Sequence, residues 1–175
     1  MSDWHSGGVV ALEKSNQNSA VSKLTTPNGE QQDNLRVRYE TLRLAEQSAG
    51  VGVWDIDISN DTVRGTAQFF RIMGLAPTSE PVPMDIVRGL RIPEDGNRLN
   101  EGYHGAVKTG IDTYESEYRI RRPNGELRWI LGRGRVIRDP AGVPVRYSGA
   151  DIDITERKAI ERALAESEAR LRLGR

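Results

Sequence analysis

The sequence of 175 residues contains no cysteine. Disulfide cross-links, thiolate nucleophiles, cysteine-ligated zinc and a covalent cysteinyl-flavin are therefore excluded. It also lacks any apolar run near the roughly 18 residues that a membrane-crossing helix needs. An excess of charge of either sign is missing too. The 25 Lys and Arg balance the 25 Asp and Glu, so bulk charge draws the chain to neither nucleic acid nor membrane. The opening "MSDWHSGGVVALEK" has an acid early, a short apolar patch and no basic lead, which makes a poor signal peptide. No Walker loop, dinucleotide fingerprint, nucleophile elbow or zinc spacing occurs. Enzymatic activity within these residues is not expected. The expected location is cytoplasmic, whether the chain stands alone or is part of a longer protein.

Residues 1–32 are rich in Ser, Asn, Gln, Thr and Gly and read as a disordered tail. A lead-in amphipathic helix is expected over 33–49. Leu35, Tyr39, Leu42 and Ala49 fall at helical spacing, Asp33 or Asn34 can cap the start, and Gly50 and Gly52 end it. "VGVWDIDISNDTVRG" reads as a hairpin turning at Asn60-Asp61. With a two-residue turn, Asp57 would face Arg64 as a cross-strand charge pair. Residues 66–92 carry a short helix ending at Gly74, then several prolines that favour short helices and loops. Leu99, Tyr103, Ala106 and Val107 form one face of a longer helix closed by Gly110. Three strands follow, with turns at Pro123 to Gly125 and Asp139 to Gly142. Strands split by a helical block indicate an α+β fold with an antiparallel sheet.

This order, with these turns, resembles the PAS sensor domain. The specific part is "YESEYRIRRPNGELRWILGRGRVIRDPAGVPVRYSGADIDITERK". It is similar to the family's C-terminal half at Glu117-Tyr118-Arg119, Gly125, Arg128-Trp129, Asp139, Gly142, Gly149 and Asp153-Ile154-Thr155. "GVGVWDID" resembles the opening strand. The resemblance spans about residues 45–158 and places the domain at 50–154. It implies a five-stranded antiparallel sheet with short helices closing a pocket on one face, and a sensory or interaction role. It also implies that Asp153, Ile154 and Thr155 are the junction to an output helix over 155–175. Thr155 is a good N-cap, and Glu156 sits where a negative charge suits the helix dipole. By resemblance, Asp153 pairs with a basic group of the domain and fixes the exit angle. The alternative is a solvated turn carboxylate.

"TERKAIERALAESEARLRL" is a strong helix. Ile160, Leu164, Ser167 and Leu171 follow the 4-3-4 spacing of a coiled-coil seam. A parallel dimer seam is the favoured reading, with Leu35, Tyr39 and Leu42 of the lead-in helix contributing. The other reading folds the helix back on its own domain. "SEARLRL" also echoes "RYETLRL", as if the lead-in of a second PAS domain began at the end of the sequence.

Some PAS domains bind haem through a histidine on the longer helix. His104 lies off the apolar face, and the corresponding earlier position is Leu99 or Asn100. Haem and flavin are therefore disfavoured, and a small organic ligand is left open. Asp55 with Asp57, and Asp151 with Asp153, share strand sides and could hold a divalent cation, but such spacing more often marks a wet face. No metal site is expected. Eight arginines cluster in the last three strands. They pair with nearby acids, hold an anionic ligand or contact nucleic acid, and pairing is favoured. Candidate pocket walls are Trp54, Phe69, Met73, Leu90, Leu99, Tyr103, Val107 and Trp129; each could instead be ordinary core. The reading is a cytoplasmic PAS sensory domain of a multidomain signalling protein. It is expected to be a homodimer through its flanking helices, and its output module a histidine kinase or a cyclic-dinucleotide enzyme. A ligand-free dimerisation module is the alternative.

Overall fold

The computed structural model describes residues 29–173. In chain order the elements are α1 (Gly29–Ala49), β1 (Val51–Asp57), β2 (Thr62–Gly65), α2 (Ala67–Met73), β3 (Val82–Pro83), α3 (Met84–Arg88), α4 (Pro93–Thr109), β4 (Thr113–Arg121), β5 (Leu127–Arg138), β6 (Pro144–Asp153) and α5 (Thr155–Leu173). The fold is α+β. The lead-in helix starts at Gly29, four residues before the expected Asp33, so residues 29–32 are helical. The rest of the expected tail, and the last two residues of the expected output helix, lie outside the described residues. Within residues 29–41, the Thr41 hydroxyl donates to the Val37 carbonyl at 2.8 Å and Arg36 pairs with Glu40 at 3.9 Å. The helix ends at Gly50, whose φ of 64° is left-handed.

The strands form one antiparallel sheet in the order β3-β2-β1-β6-β5-β4. Five were expected. The sixth, β3, is a two-residue edge in which Val82 and Pro83 pair with Val63 and Thr62. Proline, which has no ladder donor, is tolerated at such an edge. The first long strand and the last lie side by side in mid-sheet, while β2 and β4 sit on opposite sides of them. The chain between β2 and β4 must therefore cross the sheet, and α2, α3 and α4 cover one face as it does so.

Local chemistry explains the boundaries. Thr66 caps α2 by accepting from the Phe69 N–H at 3.4 Å, and Gly74 closes it in the left-handed region. α4 opens with proline in its first turn beside Glu94 and Asp95, which suits both the missing N–H and the helix dipole. Asp95 is buried and ties this turn to β4. It accepts from the Arg119 backbone N–H at 2.8 Å and from the guanidinium at 2.8 and 3.1 Å. These bonds hold the Asp95 carboxyl below the usual carboxylate range, the Arg119 side chain being the main cause.

One expected pair is corrected. The β1–β2 loop has four residues, so Asp57 faces Thr62 and Asp55 faces Arg64. Asp57 instead folds over the turn. It accepts from the Ser59 N–H at 2.9 Å, the Asn60 N–H at 3.1 Å and the Asn60 amide at 2.7 Å. A short-range Asx turn won over the cross-strand ion pair. Arg64 donates to the Ser79 carbonyl at 2.9 Å, and Asp55 pairs with Arg146 on its other neighbour, β6.

The core lies between the covered face and the helices. Its most deeply buried side chains are Val63, Phe70, Met73, Ile120 and Ile130. Two strand glycines admit aromatic rings onto the sheet. A Cβ on Gly149 would stand 2.2 Å from the Arg133 carbonyl oxygen and 2.5 Å from the Trp54 ring. One on Gly134 would stand 2.3 Å from the Tyr147 ring. The contact at Gly149 includes backbone, which cannot swing aside. Gly149→Ala is expected to lower stability by about 1–3 kcal/mol, as overpacking does, measured by urea unfolding.

Candidate functional site

A cavity of about 160 Å³ lies between the covered sheet face and helices α3 and α4. Its apolar wall includes Trp54, Ile56, Val63, Phe69, Met84 and Leu99. Its polar wall includes Arg91, Asp151 and the tyrosines 103, 114, 118 and 147. The aromatic rings are packed in series. Trp54 and Tyr147 have centroids 5.0 Å apart, and Tyr147 and Tyr103 are 4.9 Å apart.

Asp151 is the chemically distinctive group. It is 2 % exposed and accepts a hydrogen bond from the Tyr118 hydroxyl at 2.9 Å. Burial pushes its carboxyl up to about 6, against the pull of Trp54, Tyr118 and Arg91. Burial likewise drives the Tyr118 hydroxyl well above its usual range and the Tyr147 hydroxyl to about 12. The Trp54 indole N–H lies close enough to favour the Asp151 carboxylate, yet it has no acceptor in bonding geometry. Arg91 stacks over the Tyr118 ring at 5.8 Å.

Two residues along the same face of β6, Asp153 stands at the root of α5. It pairs with Arg122 at 3.5 Å and Arg128 at 3.6 Å. Its Oδ1 also accepts from the Thr155 N–H at 3.0 Å and the Thr155 hydroxyl at 2.5 Å. Thr155, expected as the cap, is instead the first residue of α5. Its Oγ1 is occupied by the Trp129 N–H at 2.9 Å, so Asp153 takes over the first-turn donor. Ile154 is buried, and its N–H donates to the Trp129 carbonyl at 2.8 Å.

The expected wall residues divide. Trp54, Phe69, Leu99 and Tyr103 line the cavity. Met73 is buried in the core, and Leu90 packs against that core. Val107 is half-buried on α4, and its carbonyl accepts from Arg138 at 3.0 Å. Neither Met73, Leu90 nor Val107 is among the lining residues. Trp129 lies on the opposite sheet face, because β5 alternates and its neighbour Ile130 points into the core. There its ring lies between the Arg119 guanidinium at 5.4 Å and the Lys158 ammonium at 5.1 Å. Lys158 and Arg157 of α5 both pair with Glu117, whose carboxyl they hold below its usual range, Lys158 foremost.

The acid pairs do not act as pairs. Asp55 is taken by Arg146 and Ser148, and Asp57 by the turn. Asp151 faces the cavity, not solvent, which corrects the wet-face reading. His104 is exposed, with its ring against Tyr103. Of the clustered arginines, Arg119, Arg122, Arg128, Arg133, Arg138 and Arg146 each pair with an acid of this chain. Tyr147 and Arg91 were not picked out in the sequence, Tyr118 entered only through the family likeness, and spacing gave only a wet-face pair for Asp151. The usable signal for the last was its period-2 placement with Gly149 and Tyr147, opposite Trp54.

A family model described as the PAS fold matches residues 63–150, about half of the chain. The chain belongs to the PAS family. This PAS domain is 29 % identical over 155 residues to a blue-light-activated histidine kinase of Brucella anthropi, covering 89 % of the chain and 28 % of that protein. It is 27 % identical over 135 residues to the sensor protein FixL of Bradyrhizobium diazoefficiens, covering 77 % and 26 %. The chain thus spans about a quarter of the length of these curated relatives. Among solved structures, a sensory box histidine kinase/response regulator from Burkholderia thailandensis superposes with a TM-score of 0.63 at 31 % identity, covering 75 % of this chain and 97 % of that one. The N-terminal domain of a diguanylate cyclase with a PAS/PAC sensor from Marinobacter aquaeolei shares the fold, with a TM-score of 0.54 at 21 % identity over 62 % of this chain and 98 % of that one. Among the described residues no helix is long and apolar enough to cross a membrane.

The raised Asp151 value gives a pH signature with a definite sign. Between its ordinary 3.8 and about 6, the native state holds the proton more tightly than the unfolded chain. Stability therefore falls as pH rises through that window, by on the order of 2–3 kcal/mol. Asp151→Asn keeps an acceptor for Tyr118 and removes the titration. The difference between the two proteins' urea-unfolding free energies should change across pH 4–7 and be flat above it.

Proposed function

We propose that this PAS domain is the cytoplasmic sensory module of a multidomain signalling protein. Its cavity binds a small molecule, and the Asp153-Ile154-Thr155 junction relays occupancy to α5. The output module is a histidine kinase or a cyclic-dinucleotide enzyme, in keeping with the names of its relatives. One observation carries the reading: Asp151 in the cavity wall and Asp153 at the helix root sit on the same face of one strand, two residues apart. A ligand that displaces Asp151 or its partner Tyr118 acts on the strand that holds α5. A second route runs over the other face. Asp95 of the cavity-lining helix α4 grips Arg119, Arg119 covers Trp129, and Trp129 carries Lys158 and Thr155 of α5. A ligand that favours one of two arrangements of these contacts shifts α5 by that difference in affinity.

The flanking helices supply the proposed dimer seam. Leu35, Tyr39 and Leu42 on α1, and Ile160, Leu164 and Leu171 on α5, are 59–70 % exposed in a single chain. Such apolar stripes are covered at low cost by a second copy. The blue-light name of one relative does not bring a cysteinyl-flavin with it, since this chain has no cysteine.

Native mass spectrometry of the protein as purified from cells tests the sensory reading. The expected result is a dimer with excess mass on each subunit. A dimer without excess mass, and without bound mass after incubation with a metabolite extract, favours the ligand-free dimerisation module instead. A monomer overturns the seam. Asp153→Ala is expected to leave bound mass and dimerisation near normal while uncoupling ligand from output activity in the full-length protein. An unfolded variant domain would make Asp153 a structural residue.

A further inference from the structure

The cavity has a polar end whose charge is unbalanced in a specific way. Among the described residues, two buried side-chain nitrogen or oxygen atoms have no hydrogen-bond partner: Trp54 Nε1 and Arg91 Nε. Both belong to residues of the cavity wall, and both are donors. A buried donor left unmade is costly, and native structures rarely tolerate one without a reason.

The second arginine of the wall gives the contrast. Arg88 is neutralised by Asp61 at 2.7 Å and Asp85 at 3.0 Å. Arg91 has no carboxylate within ion-pair distance among the described residues, and its guanidinium rests on the Tyr118 ring. The acid that shares its wall, Asp151, is already engaged by the Tyr118 hydroxyl. The missing partner is thus an acceptor, and a guanidinium is met best by a carboxylate, which offers two oxygens in matching geometry. The rest of the wall asks for an apolar body. Trp54, Phe69, Val63 and Leu99 are hydrophobic, and the volume of about 160 Å³ is close to that of a dry engineered cavity of about 150 Å³ that holds benzene.

We infer that the cavity takes a compact aromatic carboxylate, with its ring among Trp54, Phe69 and Leu99 and its carboxylate on the free Arg91 guanidinium and the Trp54 N–H. This deepens the sensory reading above and rests on it. The carboxylate end is then held next to Tyr118, the ring that bridges Arg91 to Asp151, so occupancy acts two residues before the end of the strand that leads to α5.

Isothermal titration of the full chain with benzoate, benzamide and benzylammonium tests the assignment. These probes share a ring and differ in the charge of one group. Benzoate is expected to bind at least roughly tenfold tighter than the other two. Arg91→Gln should remove that advantage while leaving benzamide binding unchanged, and Arg91→Lys should restore part of it. Unchanged benzamide binding also shows that the Gln variant has folded; if it has not, the wild-type ranking decides. Benzylammonium or benzamide binding as tightly as benzoate overturns the carboxylate assignment but leaves a ligand-binding cavity. An Arg91→Gln variant that folds and keeps full benzoate affinity overturns it too. Failure of every probe overturns the ligand class. The sensory reading is judged separately, by the native mass spectrum, which presumes no ligand chemistry.

Discussion

The position of β6 between β1 and β5 is the constraint on which the rest of the domain depends. Hydrogen bonds on both flanks lock its register, and a shift of one residue would turn every side chain to the other face. In the observed register Tyr147, Gly149, Asp151 and Asp153 face the helices, while Arg146 and Ser148 face away. The covered set supplies a ring, a gap for the Trp54 ring, a buried acid and the cap of the last helix. One strand thus builds part of the cavity floor and the root of α5. The neighbours confirm the logic from their side. Glycines at 132 and 134 on β5 leave room where Asp151 and Tyr147 lean across.

Burial and bonding are set against each other at the polar end of the cavity. Desolvation disfavours the charged form of Asp151, and one hydrogen bond from Tyr118 does not cancel it. Asp153, two residues on, has the opposite surroundings: two arginines, a hydroxyl and a backbone N–H. The same side chain on the same face is pressed towards neutrality at one position and held in an ionic network at the other. Depth and partners differ together: Asp151 lies in mid-sheet against a tyrosine hydroxyl, and Asp153 at the sheet's end among two arginines.

Much of the fold was legible because it is written in local patterns. Alternation marked the long strands, Gly74 and Gly110 marked helix ends, and Pro123 to Gly125 marked a turn. The family likeness was strongest at Asp153 to Thr155. The misses share a physical cause. The Asp57 pairing needed the loop length, which an Asx turn extended beyond two residues. Trp129 reads as pocket aromatic until the pleat is fixed, and then it falls on the far face. Thr155 has a good capping side chain, but its oxygen was claimed by a backbone N–H 26 residues earlier. Asp151 looked like half of an exposed acid pair because strand period says which residues share a face, not which face is covered. Arg91 carries no local signal at all; its significance is the absence of a partner, which only the packed structure reveals.

Two of the three tryptophans report on different parts of this design. Trp54 is buried in the cavity wall beside Tyr147, and Trp129 is half-exposed at the helix root between two cations. Indole emission follows the polarity and charge around the ring. Once Trp4 is replaced, the domain therefore carries two intrinsic optical channels, one at its input and one at its output. Replacing either remaining indole leaves the other as a single-site fluorophore, so filling of the cavity and movement of the helix can be timed separately, without attaching a dye.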